Sequence, residues 1–125
     1  MNIPRAFLLI GSLYLVLGIG LGMYMGASGD RSLSAVHAHI NLLGFALMAI
    51  FGLVYRTYPA MAAQRLARVH FWLHLVGGGV LLAMLFLMMS GNISEAAMFP
   101  LAPIAEVAVL LGLLCFVFNL WRNGR

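Results

Sequence analysis

Residues 34–58 read SAVHAHINLLGFALMAIFGLVYRTY. Up to Arg56 the run holds no formally charged residue, and it exceeds the ~20 mostly apolar residues that a helix needs to cross a bilayer. Two histidines and an asparagine nevertheless stand near its head. Polar side chains in hydrocarbon are costly and commonly mark function. The stretch therefore decides two questions together: a membrane-spanning helix, and a search for function that starts at His37 and His39.

The rest of the chain follows the same reading. Of its 125 residues, 64% are hydrophobic and 8% charged, and mean hydropathy is +1.05. A water-soluble domain of this length cannot hide so much apolar surface. Four spans are expected, at about residues 6–27, 34–58, 69–90 and 97–121, with boundaries good to ~2–4 residues. The connections are short: SGDRS, with Ser34 as an expected N-cap of the second helix; YPAMAAQRLAR, where Pro59 ends that helix; and SGNISE after the third. The N-terminal run, with Arg5 ahead of it and GASGD behind, imitates a secretion signal. Its apolar core is too long for one, so a retained first span is expected. The expectation is a single all-α domain over residues 1–125, a four-helix transmembrane bundle.

The charge comprises seven arginines and no lysine against three acidic residues. The arginines are scattered over ends and loops, with no basic stripe and no interleaved aromatics, which excludes a nucleic-acid surface. With the N-terminus inside, Arg5, Arg56, Arg65, Arg68, Arg122 and Arg125 fall on the cytoplasmic side and only Arg31 outside, with Asp30 and Glu95. The positive-inside rule then puts both termini in the cytoplasm of a bacterial-type inner membrane. Cys115 is the only cysteine, so no intrachain disulfide forms; it reads as core packing. Trp72 and Trp121 read as inner-boundary anchors, and the scattered methionines as core filling rather than copper transport.

This orientation fixes depth. His37 and His39 lie near the outer face, and His70 and His74 near the inner face, roughly 15 Å apart in depth. The two pairs are not placed to clamp one iron within a single bundle. Residues two apart on a helix are rotated by ~200°, so His37 and His39 point to nearly opposite sides, as suits a helix wedged between two sites. The spacing equally suits two interfacial histidines bonded to water or loop carbonyls. His70 and His74, at i and i+4, share one face and suit a single metal, a proton path, a quinone pocket or interfacial packing. Glu106, the only carboxylate within a span, lies about two turns deep near the level of His39. Its expected roles are to orient a ligating histidine, to relay protons or to bind a second metal; a cavity between protomers or a headgroup also suits it. Asn41 is expected to hydrogen-bond between helices. Gly18, Gly22 and Gly26, with Gly77, Gly78 and Gly79, permit close helix approach or leave room for a flat macrocycle.

HAHINLLGF (37–45) resembles the tenth helix of subunit I of the heme-copper oxidase superfamily, which includes nitric oxide reductases. In that family the first histidine of a His-x-His ligates the high-spin heme and the second the low-spin heme, on opposite faces. RVHFWLHLVG (68–77) resembles the start of the family's eleventh helix, with a basic residue, a spacer and His-Phe. The resemblance places motifs on two of the four helices. It implies one of the three four-helix arcs of that fold, heme b as cofactor, and His37 and His39 as iron ligands. The copper-binding histidines, the crosslinked tyrosine and the separate second-helix histidine of the family have no counterpart here, so the complete oxygen-reducing machine is absent from one copy; whether copper binds stays open. A homotrimer would restore the threefold arrangement, with hemes between protomers. The implied function is electron transfer with an unidentified redox partner, or binding of O2 or NO. The family's leading eleventh-helix histidine is not a heme ligand, which makes His70 and His74 the weaker site. Two readings from other classes compete: a heme-free metal- or proton-conducting oligomer using His37, His39 and Glu106, and an assembly partner of a respiratory complex.

Overall fold

The computed structural model describes all 125 residues, and all its regular structure is helical. Four helices are long and apolar enough to cross a membrane: α1 (Ile3–Ser28), α2 (Ser34–Thr57), α4 (Arg65–Met89) and α5 (Leu101–Asn123). A single-turn helix, α3 (Pro59–Ala62), sits in the α2–α4 connection. Only 17–28% of the most apolar window of each long helix is buried inside the chain. The remaining apolar surface faces outward, which requires hydrocarbon or another protein around it.

Local chemistry sets the helix ends. Asn2 caps α1, its side-chain oxygen accepting from the Arg5 N–H at 3.0 Å, and Pro4 lies in the first turn where no N–H is needed. At the other end Gly29 takes the left-handed conformation, φ 71°, and returns its N–H to the Met25 carbonyl. In the loop that follows, the Ser32 N–H donates to Asp30 Oδ1 at 2.9 Å. That backbone bond and a second from the Ser32 hydroxyl hold the Asp30 carboxyl below its usual range. Ser34 is not the cap expected for α2. It is the first helical residue, and its hydroxyl donates back to the Arg31 carbonyl at 2.7 Å. Tyr58, ahead of Pro59, is extended (φ −119°, ψ 81°) and ends α2.

Two boundaries differ from expectation. α4 begins at Arg65 rather than near residue 69, because a helix continues past the edge of its apolar stretch into the interface. α5 begins at Leu101 rather than near 97: a 3-10 turn (Ala96–Met98) precedes it, and Phe99, ahead of Pro100, is extended.

α1 packs along α2 and α4 along α5 as two antiparallel hairpins. The aromatic core lies at the end of the bundle where α1 and α4 begin and α2 and α5 finish. It contains Phe7, Met48, Phe51, Tyr55, Met61, Phe71 and Phe116, with Ile3 and Ala67 at its rim. Phe7 is at its centre, stacked on Tyr55 (centroids 5.7 Å) and edge-on to Phe71 (5.0 Å). Lipid tails are as apolar as these rings, so transfer from water does not hold the helices together; close packing and interhelical hydrogen bonds do.

α2 is not a uniform α-helix. Residues Ile40–Ala46 form a π-helical segment, and the Leu47 N–H reaches back five residues to the Leu42 carbonyl. The next carbonyl, that of Leu43, accepts a hydrogen bond from the His74 imidazole of α4 at 3.0 Å. Gly44, inside the segment, lies against the Tyr14 ring of α1. A Cβ there would come within 2.5 Å of that ring, so any larger residue would force the two helices apart.

Candidate functional site

His37 and His39 leave α2 in different directions. The half-buried His37 turns toward α1, where its Nδ1 lies 2.9 Å from the Gly18 carbonyl. A carbonyl oxygen only accepts, so Nδ1 carries a proton. Asn41 donates to the His37 carbonyl at 2.9 Å, and its amide nitrogen is 3.4 Å from the His37 ring nitrogens. Its own side chain rests on Gly18, and a Cβ at Gly22 would be 3.0 Å from His37 Cε1. The Gly18 and Gly22 face of α1 therefore receives His37 and Asn41. Gly18 and Gly22 thus serve the close helix approach expected of them, and a Cβ at Gly26 would meet nothing within 4 Å. Asn41 bonds within its own helix and contacts α1 by packing.

His39 is exposed, and its Nδ1 lies 2.8 Å from the Ala35 carbonyl one turn back. The same acceptor argument puts the proton on Nδ1. The backbone bond fixes the ring direction and leaves Nε2 without a partner in the chain. This is the arrangement in which a histidine serves as a metal ligand. Ala35 and Ala38 beside it keep the helix surface low.

Glu106 is exposed on the outer surface of α5. It lies five residues from the start of α5, as His39 does from the start of α2, and both helices start at the same end. Each residue is thus ~7 Å along its helix. Within one chain Glu106 and His39 occupy separate surfaces and have no common partner.

His70 and His74 share a face, as their spacing requires, but that face looks into the core. Their exposures are 0% and 3%, so both rings pack inside the bundle. The Tyr55 hydroxyl is 3.0 Å from His70 Nδ1. Phe51, Phe7 and Phe116 surround the His70 ring at centroid distances of 4.5, 5.1 and 5.2 Å. His74 donates from Nε2 to the Leu43 carbonyl. The two rings are 5.9 Å apart and inclined by 72°. His70 Nε2 is buried with no hydrogen-bond partner, facing aromatic rings. No three His, Cys, Asp or Glu side chains gather in one chain as a metal centre would need. Tyr55, Asn119 and the Leu43 carbonyl belong to this buried polar cluster although nothing in the sequence singled them out; Asn119 Nδ2 donates to the Met61 carbonyl at 3.1 Å and ties α5 to α3. The one available signal was Tyr55 itself, a hydroxyl near the end of an apolar span.

Two different environments result. At one end, buried histidines are committed to holding helices together. At the other, one histidine is cradled by α1 and a second is exposed, bonded only to its own helix. Comparison of this chain with protein-family models, curated proteins and solved structures finds no match.

Proposed function

We propose that this chain is the protomer of a small b-type heme protein of the membrane, built as a homotrimer, with iron held between copies. One observation carries the reading: His39 stands exposed in a candidate membrane span, with Nδ1 committed to the Ala35 carbonyl and no bond within the chain to Nε2. An isolated imidazole facing lipid is costly; the same imidazole facing a second copy would be covered there and could hold heme iron. Glu106 supports the same surface. A carboxylate on the outside of α5 must be covered, paired or neutral in hydrocarbon, and a neighbouring copy would cover it.

The residues present fit heme unequally. His39 fits as it stands. His37 has the right donor atom but is held against α1 by Gly18, so it acts as a second ligand only by turning away from that carbonyl. Asn41, in contact with the His37 ring, is the residue that would set which way it turns. Heme held there would supply one-electron chemistry or reversible binding of O2 or NO. The chain itself supplies the imidazole, its orientation through Ala35, and a water-poor surround. The arginine distribution supports a multi-pass inner-membrane protein with both termini cytoplasmic. The resemblance of 37–45 and 68–77 to heme-copper oxidase helices supplies the threefold template.

A reduced-minus-oxidised visible spectrum of the protein purified from heme-replete cells tests the reading. The expected result is a Soret band with resolved α and β bands. A featureless spectrum overturns it and leaves the heme-free conducting oligomer, which also uses the exposed His39 and Glu106.

A further inference from the structure

A cleft of about 770 Å³ opens at the end of the bundle where α1 begins, between α1, the last turn of α2 and the short α3. Arg5 of α1 and Arg56 of α2 stand on its rim, and Leu8 and Leu9 line its inner wall down to Ser12. From Arg5 to Ser12 the wall runs ~10 Å along α1. The Ser12 hydroxyl is already committed to the Leu8 carbonyl at 2.8 Å, so the inner part of the cleft has no free side-chain donor there.

The two arginines are exposed, and no acidic side chain lines the cleft. Asp30 and Glu95 lie in the loops at the opposite end, and Glu106 is one and a half turns into α5 from that end. No acidic side chain reaches this rim, so neither guanidinium has a side-chain counter-charge in the cleft. A neutral amphiphile such as a quinone gives two guanidiniums no charge to pair with. A free anion leaves the apolar wall uncovered. A phosphate joined to acyl chains meets both demands, with guanidinium at the headgroup and leucine below it.

We propose that this cleft binds an anionic phospholipid, its headgroup phosphate between Arg5 and Arg56 and an acyl chain along Leu8 and Leu9. The site is separate from the histidines and stands or falls independently of heme binding. Arg65, Arg68 and Arg122 share this end of the bundle but do not line the cleft. They provide the control for charge without shape.

The test is native mass spectrometry of the full-length protein released from nanodiscs of equal phosphatidylglycerol and phosphatidylcholine. The wild-type protein is expected to retain phosphatidylglycerol in preference to phosphatidylcholine. Arg5→Gln with Arg56→Gln should lower that retention by about thirtyfold, and Arg65→Gln with Arg68→Gln should leave it near the wild-type value. Leu9→Trp, at an exposed position with both arginines intact, should reduce retention by filling the acyl path. Equal retention of the two lipids overturns the proposal. So does equal loss in the two arginine pairs, or unchanged retention in Leu9→Trp.

Discussion

His39→Ala is expected to yield a folded protein that has lost most of its heme. The imidazole is exposed and bonds only to its own helix, so its removal breaks no contact between helices. Alanine is also the better helix former. The loss therefore falls on ligation. If the iron–imidazole bond is worth ~1.4 kcal/mol more than the water that replaces it, occupancy changes tenfold. Free imidazole added to the variant should restore part of the Soret band, because the vacated position opens to the outside of the bundle. Heme content per protomer, with the far-ultraviolet circular dichroism as a check on folding, measures this. A His39→Ala protein with full heme and an unshifted spectrum contradicts the assignment.

His70→Ala is expected to do the reverse: a large loss of stability with the heme bands in place. The His70 ring is fully buried among Phe7, Phe51 and Phe116. Its removal leaves a cavity in a core held by packing, and it leaves the Tyr55 hydroxyl without its partner. Large-to-small changes in packed cores cost about 2–5 kcal/mol. A buried hydrogen bond between membrane helices adds about 0.6 kcal/mol on average. Tyr55→Phe separates the two contributions, since it removes the hydroxyl and keeps the volume, and it should cost about 0.6 kcal/mol. Unfolding in a denaturing detergent, followed by loss of helical signal, gives both values. If His70→Ala abolishes heme while His39→Ala leaves it intact, the site lies at the aromatic end and the present account fails.

These two histidines mark how far the sequence could be read. The four spans were legible because each is a window of apolar residues near the length of the bilayer core, and composition alone requires them. The divergence of His37 and His39 was legible because 100° per residue is a property of any helix. The spacing of His70 and His74 told that they share a face but not that the face is internal. That depends on Phe7 and Phe116, more than forty residues away on either side. The π segment was illegible for the same reason. It coincides with a hydrogen bond from His74 to the Leu43 carbonyl across 31 residues, and no local pattern in INLLGFA announces it. Ser34 shows a smaller limit: the residue type was right for a cap, but the first helical position was one residue earlier than the cap rule placed it. Glu106 was placed in a span correctly, yet its direction, outward on α5, needed the packing of α4 against α5.

The central claim is that iron is held between copies of this chain rather than inside one. Native mass spectrometry of the detergent-solubilised protein reads protomer number and bound heme in the same ion. The account predicts a trimer carrying heme, and a His39→Ala trimer of the same protomer number whose heme mass is largely missing. A monomer that retains a full complement of heme would contradict it.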